Sequence, residues 1–489
     1  MVDCPDNTPV LVGVAAVMQK VADHRSAKEP IALMEQALRE AAADAGSEEL
    51  LSRAEQILVP ASLYAYSDPG RLLADAIGAT AAATLLAELG VSQQHIIDIA
   101  CQRIQDGEIQ AALVVGGEAR YRGIMASKAG EEVSLTRQVD VVPDVTLRPE
   151  DELWSEVESA TGLGMPVGYY AIMDSALRFS QGLTVAEHRD QMAAMYARLS
   201  EVAAANDDAW SSEAVAAAFI RDSSPQNRML AFPYTKLHNS QWNVDQAAGL
   251  ILCSAGLARE LGVPRQKWVY PRASAQSNFM SVVASRKQLG GCAGFRLAGQ
   301  AVQELAGVSF NDLHLCELYS CFPFAVRAQI EEMGIAANAN ISVTGGMTFG
   351  GGPLNNFVFQ ATVKMAQLLR EQPGEIGLVT TVSGMLTKQA CALWSGEYGA
   401  SGWALADVTD AVRDATELCE LVADAEGEGT VAGYTVLYQG DTPWRAVAVF
   451  DLADGRRTVA YSEEASIIET MQGSECCGQN FTLGAGQFR

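Results

Sequence analysis

GEIQAALVVGG at residues 107–117 and GEIGLVTTVSG at residues 374–384 are two renderings of one pattern within a chain of 489 residues. Each opens on a glycine, the residue that ends a helix most easily because it enters the left-handed region without a side-chain penalty. Each continues into an apolar run with no polar alternation, which is a strand covered on both faces, as in a parallel βαβ unit. Upstream of each copy stands a helical segment, SQQHIIDIACQRIQDG at 92–107 and NNFVFQATVKMAQLLREQPG at 355–374. Further upstream come another helix and a strand, IALMEQALREAAADAG at 31–46 with QILVPAS at 56–62, then GFRLAGQAVQELAG at 294–307 with DLHLCELYSCF at 312–322. In the first of these helices Ile31, Met34, Leu38, Ala41 and Ala45 recur at helical spacing along one face. The same events in the same order, twice, predict a chain built from two copies of one α/β unit.

The remaining segments are placed by this repeat. The N-terminal half is expected over 1–120, completed by a return strand and helix at about 246–268 within and after VDQAAGLILCSAGLARELG. Residues 121–245 then form an inserted loop domain, and 269–407 the second half. From 408 to 489 the texture becomes β-rich, with Asp454-Gly455 at a hairpin position, which predicts an antiparallel barrel.

Composition narrows the function classes. The net charge of −25, from 59 acidic against 34 basic residues, argues against a nucleic acid or an anionic membrane as partner, since both are held by Lys and Arg. No apolar run approaches the roughly 18 residues of a membrane span. The N-terminus lacks a basic stretch followed by an apolar core, so a cytoplasmic protein is expected. Ten cysteines without a CxxC pair, two of them adjacent at Cys476 and Cys477, predict reduced thiols and no metal site.

A glycine-rich stretch, TGGMTFGGGPLNN at 344–356, precedes the second repeat helix. Five glycines in so short a stretch are costly to order and imply a backbone that passes very close to something.

The two fused halves, the insertion and this turn together resemble the thiolase superfamily over residues 8 to about 400. The resemblance implies a five-layered αβαβα core and chemistry on acyl-CoA thioesters, the lipid metabolism of the acetyl-CoA acetyltransferase kind. Family members use a cysteine at a helix N-terminus as nucleophile, where exposed N–H groups lower its pKa, a histidine as activator and a second cysteine as acid–base. Counting along the matching motifs, Gly90 stands at the nucleophile position, Gly352 at the histidine of Gly-His-Pro, and Val382 at the second cysteine, in Val382-Ser383-Gly384. The Asn-Glu-Ala-Phe or His-Asp-Cys-Phe motif is here Tyr319-Ser320-Cys321-Phe322. The resemblance therefore implies a pocket made of Gly90, Tyr319, Ser320, Gly351, Gly352, Ser383 and Gly384, with no thiolase nucleophile, base or second acid in place.

Tyr319 and Cys321 are what remain as catalytic candidates. Tyr319 can donate to a carbonyl oxygen or wedge an emptied pocket, and Cys321 can be a small buried residue beside Phe322. Cys101, two to three turns into the helix after Gly90, is expected in the core. His95, in the first turn of that helix, is either a surface polar residue or faces the cleft. Lys388 is either a surface loop residue or an anion contact. Residues from about 429 look like the OB-type domains that accompany thiolase-like proteins, but Arg445, Arg456 and Arg457 are few for nucleic-acid binding, and a covering role fits better.

Two functions stand at this point. One is a protein that binds CoA or acyl-CoA, needs no other cofactor and lacks thiolase activity; the other is a carbon–carbon lyase of the thiolase-like retro-aldolase type, acting through Tyr319. Thiolases dimerise through the strand that leads to the nucleophile. The corresponding segment, IGATAAATLLAELG at 77–90, is rich in alanine, which is depleted in strands, so a monomer or weak homodimer is expected.

Overall fold

The computed structural model describes residues 4–149, 153–336, 338–399 and 401–489. Its first sheet contains β1 (Pro9–Met18), β2 (Gln56–Pro60), β3 (Ala83–Ala87), β4 (Ala111–Ala119), β5 (Val145–Leu147) and β8 (Asp245–Ser254), in the order β1-β8-β4-β2-β3-β5. Two short strands from the insertion, β6 (Met229–Phe232) and β7 (Tyr234–Thr235), belong elsewhere. The second sheet contains β9 (Tyr270–Ser277), β10 (Leu315–Glu317), β11 (Ile376–Ser383), β12 (Lys388–Ser395) and β13 (Ala404–Asp407), in the order β10-β11-β12-β9-β13.

The duplication is visible in the pairing. β1 lies antiparallel to β8, β8 antiparallel to β4, and β4 parallel to β2. In the second sheet β9 lies antiparallel to β12, β12 antiparallel to β11, and β11 parallel to β10. The helices Gln93–Gln105 and Phe357–Glu371 contact both sheets and form the central layer, while Pro30–Ala45 covers the first sheet and Ala293–Ala306 the second. This is the five-layered αβαβα arrangement. Pro30–Ala45 ends at Gly46, whose φ of 76° closes the helix, and its buried face includes Met34, Leu38, Ala41 and Ala45.

One strand is shorter than its sequence suggests. The run at 312–322 forms a strand only over Leu315–Glu317. Beyond it the backbone is diverted because the buried Glu317 carboxylate accepts the N–H groups of Val343 and Thr344, both at 2.8 Å, and the Ser342 hydroxyl at 2.9 Å. Another segment reverses its propensity: alanine-rich Ala83–Ala87 is a strand, because β2 and β5 lie parallel to it on either side and satisfy its backbone groups.

The C-terminal strands are β14 (Gly427–Gln439), β15 (Thr442–Leu452), β16 (Arg457–Ser462), β17 (Asn480–Gly484) and β18 (Gln487–Phe488). They pair in the cycle β14-β15-β16-β18-β17 and back to β14, a closed five-stranded barrel. Its core holds Val431, Tyr434, Val436, Ala448, Phe450 and Phe488. The barrel is joined to the insertion, since β6 adds to β14 with Val436 opposite Phe232. Arg178 of the insertion donates to both Glu475 oxygens, at 2.8 and 2.9 Å, and to the Tyr434 hydroxyl at 2.8 Å.

Candidate functional site

The helix Gln93–Gln105 follows β3, and its N-terminus points into the space between the two halves at the C-terminal ends of the parallel strands, where α/β proteins place their sites. Gly90 lies just before it with φ 103°, and Ser92 is the residue flanking the first turn. A Cβ on Gly90 would stand 3.1 Å from the ring carbons of Pro149, so even the first side-chain atom is crowded there. In the β11–β12 connection Val382 is buried, Ser383 pairs with Lys388, and Leu153 packs over Gly384. Pro149 and Leu153, both from the insertion, thus pack against Gly90 and Gly384 respectively.

The glycine-rich turn answers to close packing within the chain. A Cβ on Gly351, whose φ is 104°, would overlap the Gln246 carboxamide, and one on Gly352 would overlap the Ser240 hydroxyl. Residues 239–241 are laced onto the turn: Gly352 N–H donates to Gln241 O at 3.0 Å, Gln241 N–H to Met347 O at 3.0 Å, and the Thr348 hydroxyl to Asn239 O at 2.9 Å. Ser320 joins the same lattice by accepting the Met347 N–H at 2.9 Å.

Tyr319 and Cys321 are both buried. The Tyr319 N–H donates to the Thr380 hydroxyl at 2.8 Å and its ring meets Phe357 edge-on at 5.7 Å. Burial first, then Cys321, pushes the Tyr319 phenol far above its ordinary value, so it is a proton donor at neutral pH. Burial pushes the Cys321 thiol up to about 12, against the opposing contribution of the Tyr170 hydroxyl, which removes it as a thiolate. Cys101 is fully buried, in the core.

His95 is half-buried rather than on the open surface, and its Nδ1 lies 3.0 Å from the Gln276 carboxamide. Burial lowers its pKa, and the Gln276 contact and Asp407 oppose this. Lys388 is 5% exposed, at the first position of β12. The surface-loop alternative is therefore corrected: the β11–β12 turn is tight, and pairing with Ser383 carries Lys388 into the layer that holds His95.

Several polar residues at this site carry no sequence signal. Gln93 receives the Val358 N–H at 2.8 Å and so ties the two central helices together. Asp98 accepts from Gln94 at 2.9 Å and Ser274 at 2.8 Å, and burial raises its carboxyl to about 7. A polar side chain on the buried face of a helix reads as a break in apolar periodicity, which is the one trace these residues leave. No group of three or more His, Cys, Asp or Glu able to hold a metal exists among the described residues. In the barrel, Arg445 pairs with Glu463, Arg456 with Asp454, and Arg457 with Asp451, so the basic residues there are engaged within the chain.

With this geometry, the chain can be set beside known proteins. No family model matches it. It is 25% identical over 364 residues to the acetyl-CoA acetyltransferase of Methanothermobacter thermautotrophicus, covering 67% of this chain and 91% of that protein. A monomeric SCP2-thiolase like protein type 1 from Mycobacterium smegmatis superposes with a TM-score of 0.83 at 25% identity, over 100% of this chain and 99% of the other. The Ltp2-ChsH2(DUF35) aldolase gives a TM-score of 0.61 at 18% identity, over 80% of this chain and 98% of the other, a likeness of fold. The duplicated sheets, the central helix pair and these similarities agree: the chain has a thiolase-like fold, is related in sequence to an acetyl-CoA acetyltransferase, and carries a C-terminal β-barrel on the same polypeptide.

Proposed function

We propose that this protein binds CoA or an acyl-CoA thioester in its thiolase-type cleft and does not form an acyl-enzyme. The observation that carries this reading is the crowding at the two reagent positions, where Ser240 stands against Gly352 and Pro149 against Gly90. A nucleophile and its activating base must meet the thioester within hydrogen-bond reach; glycine supplies no side chain at either position, and the first side-chain carbon would be crowded at both. Cys321, with its thiol held neutral, is no substitute. CoA would be a ligand here, with no further cofactor. Ten free cysteines, nine of them buried, support a reducing, cytoplasmic setting.

The test has two arms. Acetoacetyl-CoA with CoA yields no thiolysis, and calorimetry against CoA and a panel of acyl-CoAs gives a Kd tighter than about 10 μM, roughly −6.8 kcal/mol. A Cys321-dependent burst of acetyl-CoA overturns the first arm; no binding below millimolar overturns the second.

A second reading, carbon–carbon lyase action through Tyr319, draws support from the phenols of Tyr170 and Tyr196, which with Tyr319 face Cys321. Three protonated hydroxyls suit the acid role in a retro-aldol cleavage better than the base role. Release of an aldehyde or ketone from a β-hydroxyacyl-CoA, lost in Tyr319→Phe, distinguishes it from simple binding.

We also propose a monomer. β5 occupies the free edge of β3, the edge through which a second copy would otherwise pair, and this supports the reading better than the barrel does.

A further inference from the structure

Among the described residues four arginine side chains are buried, Arg178, Arg286, Arg327 and Arg457. Three of them meet a carboxylate: Arg178 meets Glu475 at 2.8 Å, Arg457 meets Asp451 at 2.6 Å, and Arg327 meets Asp174. Arg286, 6% exposed, makes no ion pair among the described residues. Its Nη2 donates to the carbonyls of Met385 at 2.7 Å and Ser281 at 3.0 Å, its Nη1 to the Met173 sulfur at 3.3 Å, and its Nε–H has no partner. Neutral acceptors of this kind fill N–H groups without compensating the charge, which a guanidinium keeps at every pH at which a protein is folded.

The groups that face this guanidinium are Cys292, Tyr170 and Glu158. Burial pushes the Cys292 thiol up to about 11 and the Tyr170 phenol well above its ordinary value, so both are neutral. Glu158 stands beyond ion-pair distance, and its oxygens are already occupied: one accepts the Ala284 N–H at 2.8 Å, the other the Ser155 N–H at 2.8 Å and hydroxyl at 3.0 Å. Carboxylates on neighbouring elements are engaged as well, Asp451 by Arg457 and by Lys287 at 3.9 Å, and Glu332 by Arg296 at 3.4 Å. The charge nevertheless lies beside the cleft. Met385, which accepts from it, follows Gly384; Met280, next to Ser281, would stand 3.4 Å from a Cβ on Gly384; and the Tyr170 phenol faces both Arg286 and Cys321.

We propose that Arg286 recognises a carboxylate carried by the acyl group, so that the thioester held in this cleft is that of a dicarboxylic acid; this rests on the CoA-binding reading above. A carboxylate asks for one positive charge and one free N–H, which Arg286 offers at Nε, whereas a phosphate with its several oxygens would call on more donors. The test is calorimetry of the full chain against glutaryl-CoA and against the same thioester ending in a carboxamide, with thermal unfolding in glutarate alone. Expected are binding of glutaryl-CoA about ten- to a hundredfold tighter than of the amide, the range of one hydrogen bond to a charged group, loss of that preference in Arg286→Gln, and a rise in Tm with glutarate that the variant lacks. Equal binding of acid and amide by the unaltered protein, or a preference retained by Arg286→Gln, overturns the Arg286 inference and leaves the CoA reading standing. If neither thioester binds, the CoA reading fails, and the glutarate response alone decides the carboxylate site: a Tm unmoved by glutarate overturns it. If Arg286→Gln does not fold, the comparison of acid with amide in the unaltered protein decides the matter.

Discussion

The Ser240 hydroxyl fills the place into which a side chain on Gly352 would project, while the Ser240 N–H donates to the Cys321 carbonyl at 3.1 Å. One residue of the insertion thus closes the turn and anchors the Tyr319–Phe322 segment. Gly352→Ala is expected to destabilise the protein by about 1–3 kcal/mol, the usual cost of forcing an extra carbon into a packed core. Pairing it with Ser240→Gly should recover much of that loss in urea unfolding. Additive losses in the double variant would show that the two positions do not compete for one space.

The same crowding bears on attempts to rebuild a thiolase. Gly90→Cys, Gly352→His and Val382→Cys combined are expected to give no acetoacetyl-CoA thiolysis, because Pro149 and Ser240 occupy the approaches. Turnover by the triple variant would show that residue identity, rather than space, is what this cleft lacks.

The insertion has a buried histidine that makes stability depend on pH. Burial first, then the positive neighbours His188 and Arg189, lowers His238 to about 3, against the pull of Asp174. A histidine kept neutral in the fold contributes stability that is complete above its unfolded value near 6.5 and is lost as pH falls toward 3, by about 1.4 kcal/mol per unit. His238→Asn, whose side-chain oxygen can accept the Thr235 N–H that now reaches Nδ1 at 3.2 Å, should show a shallower slope across this window, by one proton. Equal slopes in the two proteins would place the acid sensitivity elsewhere.

Arg178 is fully buried and joins the insertion to the barrel through Glu475 and Tyr434. Arg178→Met keeps most of the volume and leaves Glu475 without its cation, at an expected cost of about 3 kcal/mol. Limited proteolysis should then cut faster in the chain leading into β14, around residues 414–426. An unchanged digestion pattern would mean that the other contacts, the β6–β14 pairing, Ser175 with Tyr434 and Arg457 with the Ala284 and Lys287 carbonyls, suffice to hold the barrel.

Light scattering at micromolar concentration is expected to give 52.0 kDa, one chain. A mass of twice that value persisting on dilution would require an interface other than the β3 edge.

The duplication was legible because it rests on periodicity and on helix-ending glycines, which are local properties: Gly46, Gly107 and Gly307 take the left-handed conformation expected of them, Gly374 does not, and GEIQAALVVGG and GEIGLVTTVSG lead into β4 and β11, equivalent strands of two sheets with the same pairing. The barrel hairpin at Asp454-Gly455 was legible for the same reason, since turn chemistry needs only adjacent residues. Alanine-rich Ala83–Ala87 was misleading, because its propensity is outweighed by two parallel neighbours. Lys388 was ambiguous until the β11–β12 pairing buried it. The glycines of 344–356 announced a close approach, but not that Gln246 and Ser240 are what they approach. Local pattern reaches as far as a helix turn or a strand pair. The meeting of Pro149 with Gly90, Ser240 with Gly352 and Asn356 with Gly116 joins segments far apart in the chain, and that juxtaposition exists only once the sheets and the insertion have packed together.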